Sequence, residues 1–312
     1  MKLAPIALFV YNRRNHTRRT LESLVTNPGF TESLLYVFCD GAKSEKDLDS
    51  VRSTRELIHS YELENVTIIE NECNKGLARS LVDGINYVLQ KHDRIIVLED
   101  DCYPSQDFLQ FMNICLDNYE SDERIMNVSG YAPPIMIPDD YTYDIYFSYR
   151  FSSWGWGTWR RAWKYYSKDS GILKTIDSSI SIKKKVDRAG LDLYTMLKWQ
   201  IEGKIDSWAV FWAINIIMHD GLSINPVRSR IMNIGHDGSG VHCSADGRYD
   251  VQINKQKTST IAFPDAIIPD NRIVKSYSDF QTGNLFKKMF YVCHHRFGKF
   301  IDPFISLISR VF

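Results

Sequence analysis

Ile95-Ile96-Val97-Leu98-Glu99-Asp100-Asp101 sets four consecutive aliphatic residues directly before three consecutive carboxylates. A run this apolar, with no alternation, reads as a strand buried on both faces, as in a parallel sheet. The carboxylates repel one another where the run ends, so a bound cation is the natural counter-charge, although a solvated acidic turn ahead of Pro104 would hold the same residues. Oxygen ligands suit Mn2+ or Mg2+.

Working outward, Pro5-Ile6-Ala7-Leu8-Phe9-Val10, Leu34-Leu35-Tyr36-Val37-Phe38-Cys39 and Val66-Thr67-Ile68-Ile69 are runs of the same kind. Helical segments separate them. Leu21, Leu24 and Val25 mark the first, stopped by Asn27-Pro28-Gly29. Leu48, Val51 and Ile58 mark the second, with Ser44 and Asp47 suited to its first turn, and Leu77, Leu81, Ile85 and Leu89 mark the third. Strand and helix alternating in this order predict an α/β fold, a Rossmann-like, mainly parallel sheet flanked by helices. Such sheets bind ligands beyond the carboxyl ends of their strands. The polar tails Tyr11-Asn12-Arg13-Arg14, Asp40-Gly41 and Glu99-Asp100-Asp101 should therefore meet in one crevice.

The second half is less regular and rich in aromatics. Ser105 is expected to cap a helix running to about Tyr119; Phe151-Ser152-Ser153-Trp154-Gly155-Trp156-Gly157-Thr158-Trp159 follows, then a helix from about Ser207 to His219 and a loop from Asn233 to Cys243. Without a low-complexity linker, residues 1–265 read as one continuous catalytic domain in two halves, 1–104 and 105–265. Residues 266–312 form a C-terminal helical extension. Its Phe286, Phe290, Phe297, Phe300, Ile301, Phe304 and Ile305 alternate with Lys287, Lys288, His294, His295, Arg296 and Lys299. That composition fits an amphipathic helix on a membrane surface, and equally a helix packed on the domain or at a dimer seam.

Lysine plus arginine equals aspartate plus glutamate at 38 each, which argues against nucleic acid as the main partner. The six cysteines show no CxxC pairing, the first residues lack the apolar core of a secretory signal, and no stretch of about 18 apolar residues occurs. The expectation is a cytoplasmic protein with reduced thiols, peripheral on the inner face of the membrane if it docks there at all.

Val97-Leu98-Glu99-Asp100-Asp101-Cys102-Tyr103-Pro104-Ser105-Gln106-Asp107-Phe108 resembles the Glu-Asp-Asp segment of Golgi N-acetylglucosaminyltransferases and of bacterial GT-A sugar transferases. Phe9-Val10-Tyr11-Asn12-Arg13 is similar to the first strand and nucleotide loop of the inverting GT-A glycosyltransferases, and Asn74-Lys75-Gly76-Leu77-Ala78-Arg79 to their third helix start. The matches come in the family's order and span about a third of the chain. The resemblance implies a GT-A fold and a role at each matching position. Asp101 would bind the metal, Asp100 face the ribose and Glu99 support the loop. Asp40 would contact the nucleobase, with Tyr11, Asn12, Arg13 and Arg79 facing base or diphosphate. A plain turn at Asp40 and a solvated helix face at Arg13 are the alternatives.

Displacing a nucleoside diphosphate from a sugar needs a base for the acceptor hydroxyl. Asp206 in Lys204-Ile205-Asp206-Ser207-Trp208 resembles the family's base segment, here lacking one tryptophan and one aspartate; it also suits a helix cap. In the loop from Asn233, His242 is the candidate to ligate metal or touch phosphate, and His236 the weaker one. Trp154, Trp156 and Trp159 could stack on sugar rings or pack in the core. The resemblance implies inverting transfer from a nucleotide sugar, UDP-GlcNAc or UDP-Gal first, to a glycan or lipid-linked saccharide, in surface polysaccharide or lipopolysaccharide synthesis. The rivals are a sugar nucleotidyltransferase, whose glycine-rich, lysine-containing loop after the first strand is missing, and an inactive carbohydrate- or membrane-binding protein of the same fold.

Overall fold

The four apolar runs become β1 (Ile6–Val10), β2 (Leu35–Cys39), β3 (Val66–Glu70) and β4 (Arg94–Glu99), separated by α1 (Arg14–Val25), α2 (Leu48–His59) and α3 (Leu77–Lys91). They pair in parallel in the order β3-β2-β1-β4. The computed structural model describes residues 2–237, 247–254, 260–284 and 286–293. Side chains alternate faces along each strand. Ile6, Leu8 and Val10 of β1 join the core beneath α1, while Ala7 and Phe9 join the one beneath α3. Gly84 lets α3 seat closely there, since a Cβ at that position would stand 2.6 Å from the Phe9 ring, itself stacked on Phe38.

Two local expectations need correction. β3 is the sheet edge, with Thr67 and Glu70 exposed and its aliphatics only half-buried, so it is not covered on both faces. Leu48 and Leu77 are 55% and 45% exposed. Each is the first residue of its helix and escapes the sheet that buries Leu81, Ile85 and Leu89.

The second half contributes β5 (Cys102–Pro104), α4 (Phe108–Asn118), β6 (Ile125–Ser129), β7 (Ile145–Ser148), β8 (Trp156–Trp159), α5 (Arg160–Trp163), α6 (Ile172–Ser178), α7 (Ile180–Arg188), α8 (Asp192–Ile201), α9 (Trp208–Met218), β9 (Leu222–Pro226), β10 (Ile231–Asn233) and α10 (Asn271–Thr282). The sheet continues as β4-β8-β6-β9-β7, with β8 antiparallel to both neighbours. β5 and β10 form a separate antiparallel pair that begins immediately after the acidic trio.

Asp107, not Ser105, occupies the N-cap position of α4, and its side chain makes no capping hydrogen bond. The serine hydroxyl donates to Asp107 Oδ1 at 2.5 Å, and Oδ2 accepts from Asn254 Nδ2 at 2.7 Å and from buried Arg230 Nε at 3.3 Å. Partners more than a hundred residues away thus occupy the carboxylate in place of the helix N-terminus. Among the described cysteines, Cys39, Cys102 and Cys115 are buried and Cys73 and Cys293 exposed, all as free thiols.

Candidate active site

Register brings the polar tails together. Val10 lies opposite Cys39 and Phe9 opposite Glu99, so residues 11–13, 40–41 and 99–101 leave neighbouring strands at the same edge. Arg13, at the start of α1, reaches across to the acidic residues. Its Nη2 donates to Asp101 Oδ2 at 2.8 Å and to Asp100 Oδ1, and its Nε lies 3.4 Å from Asp100 Oδ2. Thr20 Oγ1 donates to the Asp100 carbonyl at 2.8 Å, and Ile234 N to the Asp101 carbonyl at 2.9 Å.

Burial, then the charges of Asp101 and Asp100, push Glu99 up to about 8. Burial likewise raises Asp100 to about 6, against the pull of Arg13. Three simultaneous negative charges are therefore disfavoured here, and added positive charge would relieve them. The loop after β10 closes over the pair with no room to spare: a Cβ on Gly235 would sit 2.4 Å from Asp101 Oδ2. His16, one turn into α1, holds the same loop, its Nε2 lying 3.2 Å from the Ile234 carbonyl and 3.1 Å from Asp237 Oδ2. His16 was not singled out in the sequence; its place in the turn after Arg13 was the available signal.

Asp40 is buried and heavily used. Oδ1 accepts from Gly41 N and Lys75 N, both at 3.0 Å, and Oδ2 from Gly76 N and Asn74 Nδ2, both at 3.1 Å. Arg55 Nη2 spans the Asp40 and Asn71 carbonyls. The carboxylate thus fastens the loop that starts α3, which leaves it little capacity to read a base. Tyr11 accepts from Lys43 N at 3.0 Å through its hydroxyl, and Asn12 is half-buried in the turn between β1 and α1. Arg79 is 74% exposed and lies 3.8 Å from Asp83.

Asp206 is exposed, and Ser207, not Asp206, is the N-cap residue of α9. One residue into that helix, Trp208 stacks on Trp156 with ring centroids 5.1 Å apart. Trp156 in turn pairs with Val97 of β4, so α9 begins beside the strand that carries the acidic trio. The three tryptophans divide. Trp156 and Trp159 are buried, at 0% and 1% exposure, and cannot face a sugar. Half-buried Trp154 meets Tyr131, His236 and Tyr249 at 4.6, 5.4 and 5.5 Å. His242 lies outside the described residues.

Residues 6–113, about the first third of the chain, match the family model for glycosyl transferase family 2. Over this part the chain is similar to glycosyltransferases of that family, and its mainly parallel sheet flanked by helices is consistent with the GT-A fold. The match ends inside α4 and so contains every strand tail of the crevice. Among solved structures, the chain is similar to the mannosyltransferase PcManGT from Pyrobaculum calidifontis, determined with GDP-Man and Mn2+, at 11% identity over 70% of each chain and a TM-score of 0.41. S. aureus TarS residues 1–349 follow at 13% identity, 73% of this chain, 59% of that one and a TM-score of 0.40. GalNAc-T7 with UDP, GalNAc and Mn2+ shows 11% identity, 53% and 37% coverage and a TM-score of 0.39. No curated protein sequence matches.

Among the described residues, no three His, Cys, Asp or Glu side chains converge as a complete metal cage. No described helix is long and apolar enough to cross a membrane. A groove of about 690 Å³ beside the crevice, lined by Arg19, Glu22, Tyr103, Gln106 and Met232 among others, includes none of the expected site residues.

Proposed function

We propose that the protein transfers a sugar from a nucleotide donor, a UDP-sugar such as UDP-GlcNAc or UDP-Gal, to a glycan or lipid-linked saccharide with inversion, using Mn2+ or Mg2+. The observation that supports it is the placement of Asp100 and Asp101 at the carboxyl end of β4, both within hydrogen-bond reach of one guanidinium nitrogen. Two carboxylate oxygens that share one nitrogen lie close enough to share one ion, so the residues fit a divalent cation. A protein site offering one or two carboxylates and leaving positions for phosphate oxygens is the usual magnesium arrangement.

Asp101 would hold the metal, Asp100 the ribose, and Glu99 the loop between them; His242 would add a ligand or a phosphate contact. When bound, the ion neutralises charge on the departing diphosphate. Arg13 adds positive charge at the same edge. Asp206 accepts the proton of the acceptor hydroxyl, whose oxygen bonds to the anomeric carbon as the carbon–phosphate oxygen bond breaks and its electron pair leaves with the nucleoside diphosphate. Attack opposite the leaving group inverts the anomeric centre. Asp40 shapes the base side of the crevice by anchoring residues 74–76, with Tyr11, Asn12 and Arg79 at its rim.

Residues 1–265 act as one catalytic unit in this reading, and the extension from 266 brings it to the inner face of the cytoplasmic membrane during surface polysaccharide or lipopolysaccharide assembly. The test is transfer and hydrolysis across a panel of UDP-, GDP- and CDP-sugars, with Mn2+, Mg2+ or EDTA. Metal-dependent release of a nucleoside diphosphate supports the proposal. Formation of a nucleotide sugar from sugar phosphate and nucleoside triphosphate would instead establish a nucleotidyltransferase, and no turnover with any donor a binding protein.

A further inference from the structure

Arg13 stands where a bridging cation would stand. Its Nη2 contacts Asp101 Oδ2 at 2.8 Å and Asp100 Oδ1 at once, while Nε faces the second Asp100 oxygen at 3.4 Å. The triad is largely buried, with side-chain exposures of 21%, 6% and 9% for Arg13, Asp100 and Asp101. Backbone on both sides is fastened. Thr17 Oγ1 donates to the Arg13 carbonyl at 3.0 Å and Thr20 Oγ1 to that of Asp100. Gly235 closes the top, where an added Cβ would lie 2.4 Å from Asp101 Oδ2 and 3.0 Å from Arg13 Nη1. With the backbone held on both sides, the guanidinium itself is the part of the cluster that a competing acceptor would draw away.

Resting on the function proposed above, we propose that Arg13 is a counter-ion gate: it neutralises Asp100 and Asp101 until a nucleoside diphosphate draws its guanidinium onto a phosphate and frees both carboxylates for the metal. A guanidinium and a divalent ion cannot occupy the same oxygens, so metal alone binds in competition with the ion pair. A diphosphate offers the guanidinium an equally good forked acceptor. Metal and nucleotide must then strengthen each other's binding by the same factor, because coupling between two sites is reciprocal.

The test measures free Mn2+ by electron paramagnetic resonance during titration of the full chain, alone and with UDP or, in parallel, GDP. Wild type, Arg13→Gln, Arg13→Lys and Asp101→Asn are compared, each first checked for a cooperative melt. If the guanidinium holds the carboxylates in about 90% of molecules, Arg13→Gln should bind Mn2+ alone about tenfold more tightly than wild type. Nucleotide should then tighten Mn2+ binding less in the variant than in wild type. Arg13→Lys should fall between, since a point charge cannot fork across both carboxylates. Arg13→Gln and Arg13→Lys binding Mn2+ alone no more tightly than wild type would overturn the gate. Asp101→Asn separates the two readings. Its loss of Mn2+ binding together with unchanged Arg13 variants removes the gate alone, whereas wild-type Mn2+ binding by Asp101→Asn removes the metal site and the gate with it.

Discussion

Replacing Asp40 by asparagine should destabilise the protein more than it weakens donor chemistry directly. The carboxylate presents acceptors only, and the donors around it come from both sides: Gly41 N and Lys75 N on Oδ1, Gly76 N and Asn74 Nδ2 on Oδ2, with Lys75 N also 3.2 Å from Oδ2. An asparagine satisfies one of these groups with its oxygen and turns an N–H2 toward the other. With the amide nitrogen at the Oδ1 position Gly41 N loses its acceptor while Lys75 N keeps the other oxygen, and with it at Oδ2 Gly76 N does while Asn74 Nδ2 keeps the Gly41 carbonyl at 2.8 Å. An orphaned donor costs about 1–3 kcal/mol, so the variant should lose about 1–3 kcal/mol of stability. The loop that starts α3 would loosen first, because residues 74–76 hang on this carboxylate. Urea denaturation followed by tryptophan fluorescence gives the stability, and calorimetry with UDP and Mn2+ gives the affinity. A wild-type urea midpoint combined with a large loss of nucleotide affinity would refute the reasoning and return Asp40 to the role of nucleobase reader.

The other expectations can be put briefly. Asp206→Asn should lower kcat by roughly 10²-fold while donor affinity and melting temperature stay near wild type, because Ser207 occupies the cap position; full turnover would strike Asp206 from the mechanism. Trp156→Ala should cost about 3–5 kcal/mol, since its ring is fully buried against Trp208 and Trp163, whereas Trp154→Ala should leave the melt largely intact and raise KM for acceptor. The reverse pattern in paired melts and acceptor titrations would show that the buried and crevice tryptophans have been exchanged. Removing residues 283–312 should abolish co-sedimentation with anionic liposomes, because Phe286 and Met289 stand exposed one turn apart beside Lys287 and Lys288. Salt should weaken the wild-type interaction, and unchanged sedimentation of the truncated chain would end the membrane proposal.

The carboxyl edge of the sheet also explains why a charge cluster this costly survives beside a core. β4 is buried from Arg94 to Leu98, and the carboxylates begin at its last residue, with Asp100 and Asp101 buried just past the strand's end beneath the Arg13 guanidinium. A single guanidinium then offsets two of them. Moving the trio two residues earlier, to 97–99, would set the charges opposite Ala7, Leu8 and Phe9 within the core.

What the sequence by itself determined were the features that depend on near neighbours. Uninterrupted aliphatic runs located β1, β2 and β4, helical spacing located α1 to α3, and the polar residues after each strand located the crevice, because backbone period and chain order are local properties. Ser207 to His219 was legible as a helix for the same reason. The tertiary structure alone decided which partner each polar group takes. Asp107 stands at the start of α4 with its carboxylate turned to Arg230 and Asn254, which arrive from far along the chain. Asp40 is consumed by the loop before α3, and Arg13 spans the acidic pair, through contacts 34–36 and 87–88 residues apart. The aromatic string could not be divided in advance, since β8 enters the sheet antiparallel between β4 and β6 and only that insertion buries Trp156 and Trp159 while leaving Trp154 beside the crevice loop. Sequence pattern records burial and period; the pairing of charges across a fold is a matter of distance in space, which chain separation does not encode.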